Sequence, residues 1–128
     1  MGESTESATV IGWGLTDAAG KNEAPLLQKV TLSLEPRKLC TQDGLPRDNN
    51  ATIDEDMLCA QTMKHQKSSC PGDSGGPLIQ FTNGRFVQIG IVSWSSACSG
   101  NRHKYESSVA GYADVSNALE WIRKTIAK

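Results

Sequence analysis

Ser74 lies in the run Cys70-Pro71-Gly72-Asp73-Ser74-Gly75-Gly76-Pro77, with an acid just before it and the apolar pair Leu78-Ile79 just after. A hydroxyl in that setting can serve as a nucleophile. Glycines permit backbone angles that other residues resist, so neighbouring N–H groups can converge on one point. Two converging N–H groups can hold the oxyanion of a tetrahedral intermediate. A serine nucleophile also needs a base within hydrogen-bond reach, itself held by a third group. The chain has two histidines. His65 sits in the polar stretch Lys64-His65-Gln66-Lys67, and His103 in the charged stretch Asn101-Arg102-His103-Lys104. Both read as solvated side chains. Asp114 has a polar place near the last strand, but no histidine is positioned to need it. The plainer reading of Ser74 is a turn serine, since glycine-rich turns favour Ser for geometric reasons. The flanking segments decide between the two.

The elements that must position Ser74 are short and extended. Ala8-Thr9-Val10-Ile11-Gly12-Trp13-Gly14 is apolar and β-branched, then broken by glycine, and predicts a strand entering a turn. Thr16 to Pro25 reads as a polar loop. From Leu27 to Leu34 the residues alternate, with Val30, Leu32 and Leu34 on one face and Thr31 and Ser33 on the other, a half-buried strand. Glu35 to Cys40 predicts a short helix with Pro36 in its first turn, and Asp43 to Asp56 a surface loop. Met57-Leu58-Cys59-Ala60 is a short buried strand. Pro77 to Phe81 and Arg85 to Trp94 flank Thr82-Asn83-Gly84, and Asn-Gly between apolar runs signals a hairpin. A long loop is expected from Ser95 to Val109, then a strand over Gly111 to Val115. The tail changes period, with Val115, Leu119, Ile122 and Ile126 on one helical face. Asn117 and Glu120 suggest a capping box at its start. Many short strands closed by one helix predict an all-β fold, a small antiparallel barrel with a C-terminal α-helix.

At 128 residues the chain suits one domain with a modest core. Its net charge of −1 offers no basic field for nucleic acid or an acidic membrane surface. No run is apolar and long enough to span a bilayer as a helix. The opening Met1-Gly2-Glu3-Ser4-Thr5-Glu6-Ser7 carries two acids and no apolar core, so it does not read as a signal peptide. The four cysteines, Cys40, Cys59, Cys70 and Cys98, permit three pairings. They lack zinc-site spacing, so neither a metal nor another cofactor is expected. An even count suits two disulfides and an oxidising compartment. The sequon Asn50-Ala51-Thr52 adds weak support.

The nucleophile run resembles that of the chymotrypsin/trypsin family of serine proteases, the family in which the Ser-His-Asp triad is best described. Other segments resemble the same family in the same order. Val10-Ile11-Gly12-Trp13-Gly14 is similar to the strand opening the family's second barrel, and Met57-Leu58-Cys59-Ala60 to the strand before its specificity loop. Ile91-Val92-Ser93-Trp94 is similar to the strand beside which substrate lies. Tyr112-Ala113-Asp114-Val115, with Trp121-Ile122, is similar to the family's terminus. The resemblance covers nearly everything from Ala8 to Lys128.

That resemblance implies the second six-stranded barrel of a two-barrel fold, residues 1–128 forming a partial domain without the N-terminal barrel. It implies Ser74 as nucleophile and the N–H groups of Gly72 and Ser74 as oxyanion hole. Ser68 is implied at the floor of the primary specificity pocket, and Ser93, Trp94 and Ser95 as the strand that binds substrate backbone. Cys40 is implied to pair with Cys59, and Cys70 with Cys98. The catalytic histidine and aspartate are implied to come from the first barrel, as is the N-terminus that pairs with Asp73. Without that partner, Asp73 is expected to swing outward. A neutral Ser68, with side chains at Ser95 and Ala110 where the family's wider pockets have glycine, implies small or medium apolar preference. The implied function is a secreted serine endopeptidase acting on protein or peptide substrates. The alternatives are a non-catalytic homologue that binds protein, or a truncated product.

Overall fold

The computed structural model describes residues 6–14, 24–37, 40, 55–63, 72–95 and 107–127. Six strands run in chain order: β1 (Ser7–Gly12), β2 (Gln28–Glu35), β3 (Met57–Met63), β4 (Pro77–Thr82), β5 (Arg85–Ser95) and β6 (Ser107–Asp114). They close into a barrel in the order β1-β2-β3-β6-β5-β4, every neighbouring pair antiparallel. Alternation in the sequence sets the inner face. Ala8 and Val10 of β1 and Leu32 of β2 point inward with Ala60, Leu78, Val92, Ala110 and Tyr112. Leu78 and Tyr112 are fully buried, and burying a side chain the size of Leu78 contributes about 1.5–3 kcal/mol. A smaller cluster of Cys40, Cys59 and Val109 lies beside this core, with Met57 and Trp94 packed against it.

The ladders differ in length. β3 and β6 pair from Met57↔Ala113 to Met63↔Ser107. β1 and β4 pair only at Thr9↔Ile79 and Val10↔Leu78, so the barrel closes along a short seam. Beyond that ladder the Gln80 Nε2 donates to the Ser7 carbonyl at 3.1 Å, a side chain standing where a backbone bond is missing. The β4–β5 hairpin turns on Asn83 and Gly84, both at positive φ (52° and 78°). Positive φ at both central residues defines the type I′ turn that Asn-Gly favours.

Two expectations need correction. The stretch from Ser107 to Val109, read as loop, belongs to β6, because β3 offers it a ladder partner as far as Met63. The helical tail is capped by Asp114 rather than Asn117. Asp114 Oδ1 accepts the Ser116 N–H at 2.9 Å and opens a 3-10 turn over Val115–Ala118, which leads into α1 (Leu119–Ile126). Ala118, at the start of α1, makes no side-chain cap, and Asn117 instead donates its Nδ2 to the Glu55 carbonyl at 3.2 Å. Of the helix expected over Glu35 to Cys40, Glu35 instead ends β2, Arg37 and Cys40 are helical, and the residues between these two lie outside the described set.

Candidate active site

The chain enters β4 through a tight turn. The Gly76 N–H donates to the Asp73 carbonyl at 2.9 Å, closing a four-residue turn with Ser74 and Gly75 at its centre. Gly75 has φ +83° and Ser74 has no positive φ, the signature of a type II turn. A Cβ on Gly75 would meet nothing within 4 Å. Backbone angle, not space, is therefore what requires glycine there. Ser74 stands at the corner of the turn and is exposed.

Two bonds fix this turn to β5. The Gly75 N–H donates to the Val92 carbonyl at 3.0 Å, and the Val92 N–H donates to the Gly76 carbonyl at 2.9 Å. Immediately after Val92 the ladder with β6 slips. Val92 faces Tyr112 and Trp94 faces Gly111, so Ser93 is the extra residue of a bulge. Bulges end regular pairing and re-aim side chains beside active sites. The structure thus places Ser93, Trp94 and Ser95 on the strand anchored to the turn that carries Ser74. Val92, the residue that makes the anchor, was not singled out by the sequence.

Asp73 is not turned outward. It is half-buried, and its Oδ1 accepts the Gly14 N–H at 2.9 Å. The carboxylate lies in a seat made by the end of β1. A Cβ on Gly14 would stand 2.5 Å from Asp73 Cγ, and one on Gly12 3.0 Å from the same atom. Gly72 is at φ +96°, and its own Cβ would come within 3.0 Å of Gly14 Cα. The outward swing expected from a missing partner does not occur, because the backbone of Gly14 supplies a donor. A hydrogen bond to a charged group contributes about 1.5–3 kcal/mol. The only local signal for the seat is the pair of glycines flanking Trp13.

The Cys40–Cys59 disulfide is present, with Cα atoms 6.0 Å apart. Ser95 and Ala110, the residues expected at the pocket walls, are cross-strand partners of β5 and β6. Ser95 is half-buried and Ala110 is buried in the barrel core. Ser68, Cys70, Cys98, His65 and His103 lie outside the described residues.

A six-stranded antiparallel barrel that presents a serine on a glycine-rich turn, beside a bulged strand, defines the class of protein. The family model described as Trypsin matches residues 3–122. Trypsin-1 of Astacus astacus is 38% identical over 119 residues, covering 93% of this chain and 46% of the relative. Testisin of Homo sapiens is 32% identical over 127 residues, 98% of this chain and 39% of the relative. Vitamin K-dependent protein C of Oryctolagus cuniculus is 31% identical over 125 residues, 94% of this chain and 25% of the relative. The chain belongs to the trypsin family of serine proteases. It spans less than half the length of these relatives.

Proposed function

We propose that this chain is the nucleophile-bearing barrel of a serine endopeptidase, with Ser74 attacking the peptide carbonyl. The observation that carries the reading is the exposed corner position of Ser74 in a turn fixed at three points: Asp73 to Gly14, Gly75 to Val92, and Val92 to Gly76. A nucleophile held this way meets substrate without first paying to order its loop. The N–H groups of Gly72 and Ser74 are assigned to the oxyanion. Charge on the carbonyl oxygen develops as the Ser74 Oγ–carbonyl bond forms, and preorganised donors stabilise it. The proton leaves Ser74 for a histidine base, which an aspartate orients; both are assigned to a second barrel that shares the cleft. Acyl transfer releases the amine, and water then frees the acid and restores Ser74.

Substrate is a protein or peptide whose backbone runs along Ser93, Trp94 and Ser95. The assignment of Ser68 to the pocket floor gives a neutral base, and the facing pair Ser95 and Ala110 narrows the walls. A cation left unpaired in such a pocket costs several kcal/mol, so small or medium apolar side chains are preferred before the cleaved bond. An extracellular setting accords with the Cys40–Cys59 disulfide. A second disulfide, Cys70–Cys98, is assigned across the pocket.

The test compares two proteins on peptide esters and amides. The barrel joined to a partner barrel carrying the histidine and aspartate hydrolyses them, and Ser74→Ala removes the activity. The 128-residue chain alone hydrolyses none, because the hydroxyl without a base is a weak nucleophile. Failure of the joined protein to turn over any peptide, with protein binding retained, would replace this reading by that of a non-catalytic binding module.

A further inference from the structure

Gly90 lies on β5, opposite Leu78 of β4 on one side and Asp114 of β6 on the other. It is buried and is not among the glycines at positive φ, so backbone freedom is not what glycine supplies there. Closeness is. A Cβ on Gly90 would stand 3.2 Å from Leu78 Cβ, 3.0 Å from Leu78 Cδ2 and 3.3 Å from the Ala113 carbonyl oxygen. Facing residues of an antiparallel pair ordinarily keep their Cβ atoms about 4.5–5.5 Å apart. At this pair β4 and β5 are therefore drawn together by about 1 Å beyond the usual approach. The register slips at the same place. Leu78 faces Gly90 and Ile79 faces Gln88, so Ile89 is the extra residue of a bulge, which bends the strand that carries it. The Gln88 Nε2 donates to the Gly90 carbonyl at 3.2 Å across that bulge. The end of the Leu78 side chain can rotate, but Leu78 Cβ and the Ala113 oxygen move only with their strands. On each strand the close approach lies two residues from the anchor of the Ser74 turn, Gly76 on β4's side and Val92 on β5. Those anchors are the bonds from the Gly75 N–H to the Val92 carbonyl and from the Val92 N–H to the Gly76 carbonyl.

We propose that Gly90 is a positioning residue for Ser74. By carrying no side chain it lets β4 come close enough to β5 for Gly75 and Gly76 to close on Val92, and so sets where the Ser74 corner stands along β5. A methyl group at position 90 restores the ordinary strand separation, stretches the two bonds to Val92 and shifts the corner. Gly90 touches no reacting atom and acts through Leu78 and Val92. The proposal rests on the reading of Ser74 as the nucleophile.

The two bonds can be followed by their own amides. In the 128-residue chain, Gly90→Ala is expected to speed deuterium exchange at Gly75 and Val92 about tenfold or more, while Cys59 of β3, two strands away from β5, keeps its rate. Local opening of this kind is separable from loss of the whole barrel, which speeds all three amides alike. Equal acceleration at all three, or none at Gly75 and Val92, would overturn the proposal. If Gly90→Ala alone does not fold, the pair Gly90→Ala with Leu78→Ala decides, since it keeps the Cβ at position 78 and nothing beyond it. A folded pair with fast exchange at Gly75 and Val92 supports the proposal. Slow exchange there, or a pair that still does not fold, rejects it. In the joined protease, Gly90→Ala is expected to lower kcat roughly tenfold to a hundredfold with KM unchanged, because a misplacement of about 1 Å can cost about a hundredfold in rate. An unchanged kcat would reject the coupling to Ser74. If the unsubstituted protease hydrolyses nothing, the protease reading fails, while the exchange result still decides what seats the turn.

Discussion

Gly14 and Gly75 both serve the turn that carries Ser74, but for different physical reasons, and their alanine variants separate those reasons. At Gly75 a methyl group has open space but the wrong backbone angle. Gly75→Ala is expected to cost about 1–2 kcal/mol, the penalty for holding an L-residue in a left-handed conformation. At Gly14 the methyl group would collide with the carboxylate of Asp73. Gly14→Ala is expected to displace that carboxylate, break the bond from the Gly14 N–H and cost about 2–3 kcal/mol. Urea unfolding of the two variants checks the order. Equal losses would mean that the seat around Asp73 gives way without resistance.

Asp114 governs the passage from barrel to helix, and its removal tests the cap directly. Asp114→Ala is expected to lower stability by about 0.5–2 kcal/mol, the usual cost of a lost N-cap. Asn117→Ala should cost less, since the Asn117 side chain reaches only the exposed Glu55 carbonyl. Thermal unfolding followed by helical circular dichroism distinguishes them. The position of the cap shows where sequence reading stops. Asn117 with Glu120 has the spacing of a capping box, yet the chain spends one 3-10 turn before α1 begins, and the cap moves back to Asp114. The β4–β5 hairpin, by contrast, was legible, because Asn83-Gly84 fixes its turn type without help from the rest of the chain. So were β1 to β3, whose alternating or β-branched residues carry their own pattern. The start of β6 was not, since Ser107 and Ser108 become strand only through their ladder with β3. At the site, Ser74 announced itself through neighbours in sequence. The seat of Asp73 did not, because Gly14 is 59 positions away and only barrel closure brings the two together.

On the scale of the molecule, α1 stands apart from the two apolar clusters. Leu119, Ile122 and Ile126 share one face of the helix, yet none of its residues is buried, and Ile126 is 77% exposed. Apolar surface left in water promotes association. The 128-residue chain is expected to self-associate in solution, and Leu119→Ser with Ile126→Ser to shift it toward monomer. Sedimentation velocity reads both outcomes; a wild-type chain that sediments as a monomer at high concentration would show that the helix face is not adhesive.

The short seam between β1 and β4 carries a separate consequence. A closed barrel has no strand edge to offer a neighbour, so while the ring is intact the chain cannot grow by edge-to-edge pairing. Among the described residues, two residue pairs, one glutamine side chain and the bond from the Gly14 N–H to Asp73 hold that ring shut, against the long ladder of β3 and β6. Partial opening therefore begins at the seam and turns β1 and β4 into free templates at the same moment. Amides of Thr9 and Ile79 should exchange with deuterium well before those of Cys59 and Gly111. Conditions that speed the first pair without touching the second should be the ones in which fibrous aggregates appear.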